Sequence, residues 1–176
     1  MSIEELCKIL RPPANPKEVP SPTELSTVEQ EYSPLPDAYK EFIGLYGTGC
    51  IDGFIWIYNP TTNNSNLSMK DQIPRQLDAI RNALQDDGRL PYDVSERSRE
   101  LLPFGMTDNG DFLLWRTVGS PNAWSIVVLE SRLGAYEEFA LSIVEFLVQV
   151  LSRKLRVSIF PDDFPSSKPQ FLPVAD

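Results

Sequence analysis

Three short apolar runs, separated by brief polar turns, constrain the fold of this chain more than any other feature of its sequence. The runs are LLPFGM from residue 101, FLLWRT from residue 112 and SIVVLE from residue 125. Short runs rich in β-branched and aromatic residues, bounded by turn residues, are typical of strands that pair with their neighbours in sequence. The sequence therefore predicts an antiparallel meander from residue 101 onward.

The first turn of this meander contains Asn109-Gly110 between Asp108 and Asp111. Asn-Gly between apolar runs predicts a two-residue hairpin, because both central residues must adopt a positive φ. A calcium loop would need ligands at every second position, a Gly at the sixth position and a Glu at the twelfth, and DNGDFLLWRTVG lacks most of these. We therefore expect the two aspartates to mark a turn, in preference to a metal site or a general acid.

Start and stop signals predict two helices before the meander. Ser21-Pro22-Thr23-Glu24 combines an N-cap serine, a proline at the first helical position and a glutamate three residues after the cap. This pattern predicts a helix through about Tyr32. Pro36 opens a second predicted helix, for which Gly47 supplies the stop.

Two further helices are predicted from apolar residues at helical spacing. The first is predicted to end near Asp87-Gly88, and the second covers residues 136–153, which carry apolar residues on one side and glutamates mostly on the other. We expect this last helix to pack on the sheet. The stripe of the first helix consists of Ile73, Leu77, Ile80 and Leu84.

The segment between these helices contains one predicted strand, from Phe54 to Tyr58, bounded by Gly53 and Asn59-Pro60. The glycine-rich stretch YGTGCIDG before it follows a helix, whereas phosphate-binding glycine loops follow a strand and open a helix. We therefore expect this stretch to end the helix and to lead into the strand.

Composition restricts the chemistry that the chain can perform. Its 176 residues suffice for one self-sufficient domain, and the sequence contains no histidine, which removes the commonest general base and the commonest metal ligand. Cys7 and Cys50 lack the spacing of a zinc motif or a disulfide framework. The sequence therefore predicts no catalytic residue, no metal site and no cofactor, and it fits a reducing cytoplasm.

The net charge of −9 bears on the choice of partner. Binding to a nucleic-acid backbone depends on Lys and Arg, so this balance argues against nucleic acid and suits a basic protein surface. Acidity that simply keeps the protein soluble is the simpler explanation of the charge taken alone. No stretch approaches the length of a membrane span, so no membrane partner is expected either.

Trp56, Trp115 and Trp124 lie on or beside predicted strands. Burial is the expected state of such residues, although a tryptophan with one exposed edge is also a favoured interface anchor. Trp124, in the turn GSPNAW, is the one that we expect to be exposed.

The ordered set LPDAYKEFIGLYGTGCIDGFIWIYNP, LLPFGMTDNGDFLLWRT, WSIVVLE and YEEFALSIVEFLVQVL resembles the SUKH superfamily, which includes fungal cell-wall-assembly regulators and many bacterial immunity proteins. Its motifs are Leu-Pro before an aromatic helix, Tyr-Gly-x-Gly at its end, a Gly-Asp turn before a Trp-bearing strand and Phe-Leu in the last helix. The resemblance covers residues 35 to about 165. The matching motif positions are Gly47, Asp108, Gly110, Asp111 and Trp115.

The resemblance implies a single α+β domain, with a mixed and mostly antiparallel sheet packed by helices, and no enzymatic activity. Bacterial members commonly neutralise polymorphic toxins, many of them nucleases or deaminases, by direct binding. We therefore expect a helical extension over residues 1–34, a SUKH-like domain over 35–165 and a proline-containing tail over 166–176. The expected function is that of a cytoplasmic immunity protein that binds a cognate toxin. The candidate contact residues are Asp108, Asn109, Asp111, Trp115 and Trp124.

Two alternatives stay open. The first is a regulatory scaffold related to the fungal cell-wall-assembly regulators, in which the proline-rich ends link other partners and no toxin is involved. The second is a carboxylate-based or metal-dependent enzyme, in which Asp108 and Asp111 converge with Asp52 or Asp93 in a cleft.

Overall fold

The computed structural model describes residues 1–84, 90–95, 98–132 and 134–175. Within these residues the chain forms five α-helices, one short 3₁₀ helix at Pro121–Ala123 and seven strands. The helices are α1 (Ile3–Ile9), α2 (Pro22–Glu31), α3 (Asp37–Tyr46), α4 (Met69–Leu84) and α5 (Ile143–Leu151). The strands are β1 (Gly49–Ile51), β2 (Ile55–Ile57), β3 (Leu101–Thr107), β4 (Phe112–Arg116), β5 (Ser125–Leu129), β6 (Tyr136–Phe139) and β7 (Phe171–Pro173).

The strands form one sheet in the order β6-β5-β4-β3-β2-β1-β7, and every pair of neighbouring strands is antiparallel. Parallel pairing occurs in two isolated bridges, Lys17 with Gly47 and Asn59 with Ser68. The predicted meander is confirmed as β3, β4 and β5, and the predicted α+β class is confirmed with it. The strand predicted at 54–58 is β2.

The two capped helices are also confirmed. At α2 the Ser21 hydroxyl accepts a hydrogen bond from the Glu24 N–H, and the Glu24 carboxylate accepts one from the Ser21 N–H at 2.8 Å. This reciprocal capping box satisfies backbone donors that the first helical turn leaves without a partner. At the C-terminal end of α3, Gly47 has φ +66 and ψ −150, a conformation that is essentially restricted to glycine.

The predicted helix over residues 136–153 is wrong in its first half. Tyr136–Phe139 forms β6, which pairs with β5, and the helix begins only at Ile143. Ser142 is the N-cap, in a capping box with Glu145. The helical spacing of apolar residues does hold over 143–151. The backbone N–H and C=O groups of residues 136–139 instead form hydrogen bonds with the neighbouring strand β5. This is a tertiary contact, and the local spacing of apolar residues does not predict it.

The inner face of the sheet packs against α1, α3 and α5 in the larger hydrophobic cluster. Leu6 and Leu10 of the N-terminal segment are fully buried there, and the Tyr46 hydroxyl donates a hydrogen bond of 2.6 Å to the Leu10 carbonyl. Residues before position 35 therefore contribute to the core. The division into residues 1–34, 35–165 and 166–176 stays a prediction.

The outer face of the sheet carries a second, smaller cluster beside α4. Ile80 of the predicted stripe is buried in it and Leu77 packs against it, while Ile73 belongs to the inner cluster. The side chain of Leu84 and the predicted helix end at Asp87-Gly88 lie outside the described residues. The other buried members of the outer cluster are Tyr92, Leu101, Leu114, Val127 and Leu129.

The proline-rich C-terminal segment wraps the domain. Phe54 contacts the rings of Phe160 and Phe164 at centroid distances of 5.3 and 4.7 Å, and β7 pairs with β1. These aromatic contacts and the strand pairing hold the segment against the domain. Among the described residues, no helix combines the length and the apolar character that crossing a bilayer demands.

Gly47 and Gly44 form a matched pair of positions for testing the backbone at the end of α3. A Cβ at residue 47 would lie 2.1 Å from the Lys17 carbonyl oxygen, whereas a Cβ at residue 44 meets nothing within 4 Å. We expect Gly47→Ala to lower the free energy of unfolding by about 1–3 kcal/mol through backbone strain, and by more where the clash adds to this strain. Gly44→Ala should raise it by about 0.5–1 kcal/mol, because alanine is the better helix former. Urea denaturation of both variants measures the difference, and equal effects would contradict this account.

Candidate functional site

The turn between β3 and β4 is a hairpin, but not the two-residue turn that the sequence predicts. Thr107 donates a backbone hydrogen bond to Asp111 O at 3.0 Å, and Gly110 donates one to Thr107 O at 2.9 Å. Only the glycine of the pair has a positive φ, of +83°. This is a three-residue loop, Asp108–Gly110, in which a turn is followed by a left-handed glycine. Asn109 therefore does not adopt the positive φ that the sequence predicts for it.

A two-residue turn of the expected kind occurs between β1 and β2. Asp52 and Gly53 both have positive φ, of +53° and +69°, and Phe54 donates a backbone hydrogen bond to Ile51 O at 3.0 Å. The sequence predicts only that this stretch ends α3 and leads into a strand, and it does not predict β1. The Asp-Gly pair was the available signal, since it is as favourable for such a turn as Asn-Gly.

Asp111 is buried and serves the structure of the turn. Its carboxylate accepts hydrogen bonds from the Thr107 hydroxyl at 2.7 Å and from the Ser131 N–H at 3.0 Å. The second bond ties the β3–β4 turn to the connection between β5 and β6. Because only 3% of the residue is exposed, Asp111 positions the turn from within, and its contact with a partner stays a prediction.

The two tryptophans proposed as contact residues are also buried. Trp115 is 1% exposed and stacks on Phe104 at 4.7 Å between ring centroids. Trp124, which was expected to be exposed, is 5% exposed, and its indole N–H donates to the Gly119 carbonyl at 3.3 Å. The expectation failed because the 3₁₀ helix before Trp124 turns the ring inward, to 6.0 Å from Trp115.

Asp108 and Asn109 are exposed and lie at one end of the sheet. Three connections meet there: residues 52–54, residues 108–110 and the segment after Leu129, described at residues 130–132 and 134–135. Asp108 N–H donates to Phe54 O at 2.8 Å, which joins the first two connections. We call this region the turn end. Its described charged residues are Asp52, Asp108, Asp111, Glu130 and Arg132.

Two carboxylates of the turn end affect the pKa of Cys50, which lies on strand β1. Burial, together with the nearby carboxylates of Asp108 and Asp52, raises the pKa of the Cys50 thiol to about 12. The thiol is therefore neutral at physiological pH. A neutral, buried thiol is also a poor nucleophile.

A row of half-buried apolar side chains crosses the outer face next to the turn end. Trp56 pairs with Met106, and Met106 pairs with Phe112, so the three side chains point to the same face of the sheet. All three keep part of their surface exposed. We call them the outer row. An apolar strip beside acidic turns is a common composition for an interaction surface.

A separate groove opens at the other end of β3. It lies between the C-terminal end of α2, α4 and the first residues of β3, and its volume is about 740 Å³. Apolar residues and three basic side chains line it together. The principal lining residues are Tyr32, Lys70, Leu77, Arg81, Arg99 and Trp124. We call it the α2–α4 groove.

The alternative of a carboxylate cleft finds no support in the geometry. Asp52 accepts hydrogen bonds from the Ser166 N–H and hydroxyl at 2.6 and 2.7 Å, and Asp93 accepts one from the Ser95 N–H at 2.9 Å. Asp111 is occupied by Thr107 and Ser131. Over the described ranges, no group of three or more Cys, Asp or Glu residues is placed to hold a metal ion.

Comparison with known proteins gives a family match and a similar fold. The model of a family described as SMI1-KNR4 cell-wall matches residues 22–147 of the chain. The chain is similar in fold to a crystal structure of a protein from Pseudomonas syringae pv. tomato, with a TM-score of 0.50 and 17% sequence identity over 85% of this chain and 96% of that one. No curated protein matches the chain.

The structural role of Asp111 is testable against its exposed neighbour Asp108. Asp111→Asn replaces one acceptor oxygen by an amide that faces a donor, so we expect the free energy of unfolding to fall by about 1–3 kcal/mol. Asp108→Asn, at an exposed position, should change it by less than about 0.5 kcal/mol. Thermal or urea unfolding measures both values. A loss for Asp108→Asn as large as that for Asp111→Asn would refute the assignment.

Proposed function

The chain belongs to the SMI1-KNR4 cell-wall family, and from this membership we propose that it is an immunity protein that neutralises a cognate toxin by direct binding. Membership supports a non-enzymatic interaction domain. Within that class, the proposal names a toxin with a basic surface, such as a nuclease or a deaminase, as the partner. It also places the protein in the cytoplasm, where such a toxin would act.

The observation that carries the proposal is the turn end with its adjoining outer row. Exposed Asp108 and Asn109 lie beside the half-buried side chains of Trp56, Met106 and Phe112. Acidic groups around an apolar strip suit a partner with basic groups around an apolar projection. Of the predicted contact residues, Asp108 and Asn109 are the two that are accessible there.

The mechanism that follows is steric and electrostatic. Nuclease clefts hold phosphates with Lys and Arg, so an acidic surface can compete for the same groups. The net charge of −9 would also speed the encounter with a basic partner, since long-range attraction raises association rates. The hydrogen bonds that the Asp111 carboxylate accepts from the Thr107 hydroxyl and the Ser131 N–H hold the turn end in shape before binding, which lowers the ordering cost on association.

A regulatory scaffold is the second candidate function, and the cell-wall description of the matching family favours it. Such a scaffold would link regulatory partners and would need no toxin. The neighbouring genes separate the two functions. A gene for a large secreted toxin beside the gene for this chain supports immunity, and an isolated gene supports the scaffold.

The immunity proposal predicts a charge-specific effect in a killing assay. The toxin encoded next to this gene is expressed in cells with the wild-type chain, with Asp108→Lys or with Glu41→Lys. Glu41 is an exposed glutamate on α3, away from the turn end, so it gives the same charge change elsewhere. We expect wild type and Glu41→Lys to protect the cells, and Asp108→Lys to slow association with the toxin by about tenfold or more at low salt and to weaken protection.

Binding kinetics with the purified toxin, at low and high salt, show whether Asp108→Lys loses affinity through a slower association rate. Cells that die as fast with the wild-type chain as without it would rule out immunity. Protection that Asp108→Lys and Glu41→Lys reduce to the same extent would rule out the turn end as the contact surface.

A further inference from the structure

The α2–α4 groove has the composition of a second binding site, separate from the turn end. It lies at the start of β3, whereas the turn end lies after Thr107, about 20 Å away along the strand. We infer that this groove binds an acidic peptide segment that carries a bulky apolar side chain. This inference goes beyond the proposed function, because it concerns a different surface and a partner of opposite charge.

The floor of the groove supplies the apolar contact. Leu101, Leu102 and Ile73 close its base and are nearly fully buried, and Leu77 and Tyr32 keep part of their surface exposed to it. A volume of about 740 Å³ falls in the range of sites that bury most of a drug-sized ligand. The groove can therefore take up a large side chain together with the backbone around it.

The groove lining contains three basic and two acidic side chains, an excess of one positive charge. Arg81 is paired with Asp78 at 2.9 Å, but Lys70 and Arg99 have no carboxylate partner among residues that the structure describes. Arg99 uses one guanidinium N–H for the Tyr32 carbonyl, at 3.2 Å, and four donors remain. Glu31 is the remaining acidic residue of the lining. In a chain with a net charge of −9, two such cations beside an apolar floor favour a carboxylate-bearing occupant.

A main-chain acceptor favours a peptide over a simple organic anion. Pro74 lies inside α4 and has no N–H, so it cannot donate the helical hydrogen bond to the Lys70 carbonyl. The Tyr32 hydroxyl approaches that carbonyl at 3.5 Å, the upper limit of a hydrogen bond. The Lys70 carbonyl can therefore accept a hydrogen bond from the N–H of a bound peptide, next to the Lys70 ammonium group.

Fluorescence anisotropy with three labelled peptides tests the inference on the full chain. The first peptide has a central Trp-Leu pair flanked by Glu, the second has the same pair flanked by Lys, and the third has Gly-Ser in place of Trp-Leu between Glu flanks. We expect the first to bind, and the other two to bind at least about tenfold more weakly, because each lacks one of the two features that the groove recognises.

Charge-reversal variants locate the site. The double variant Lys70→Glu/Arg99→Glu should bind the first peptide with an affinity lower by about tenfold or more. Lys8 and Lys154 are exposed lysines outside the groove. The control variant Lys8→Glu/Lys154→Glu makes the same charge change and should keep the affinity within about twofold. The single variant Lys70→Glu keeps the contact between Arg99 and Tyr32. It should therefore lower the affinity for the first peptide even if the double variant is less stable than the wild-type chain.

Three results would overturn the inference: equal binding of the Glu-flanked and Lys-flanked peptides, equal losses in the two double variants, or no peptide binding while dodecanoate binds in a direct titration. The last result would identify a small apolar anion as the occupant. Protection against the toxin is measured separately, and its failure would leave the peptide result standing.

Discussion

The packing of Trp115 against the inner cluster fixes the remainder of the structure. Its ring stacks on Phe104 and meets Tyr39 edge-on at 5.2 Å, in the centre of the region between the sheet and α3. Successive side chains of a strand point to opposite faces, so an inward Trp115 also sends Leu113 inward and Phe112 outward. The outer row therefore follows from the register that buries this tryptophan, and a one-residue slip would exchange the two faces.

Those parts of the fold that local signals determine were predictable from the sequence. The capping box at Ser21, the stop at Gly47 and the meander from residue 101 depend on residues close together in the chain, and they are confirmed. By contrast, β6 forms because it can pair with the free edge of β5, and β7 forms because it can pair with the free edge of β1. Such pairings join segments far apart in sequence, and no local pattern of residues 136–139 or 171–173 contains them.

The candidate site was less predictable, because net charge and residue type do not specify exposure. The sequence pointed to the hairpin of Asp108 and Asn109, which is exposed, but Asp111 and Trp124 beside such turns are buried. Each satisfies its polar atoms within the protein, Asp111 through Thr107 and Trp124 through Gly119. The groove was missed entirely, since its walls come from α2, α4 and β3, and a net charge of −9 conceals its local excess of cations.

Strand β3 contributes to both surfaces, and its packing decides whether they act together. Leu101 lines the groove and Met106 belongs to the outer row, with a bulge between Pro103 and Gly105. At the bulge, a Cβ on Gly105 would lie 2.5 Å from the Trp56 carbonyl oxygen, so the packing of β2 against β3 leaves no room for a side chain at this position. Coupling between two sites requires an element with two arrangements that both ligands bias. A strand held this tightly offers one arrangement, so occupation of the groove should leave the turn end unchanged.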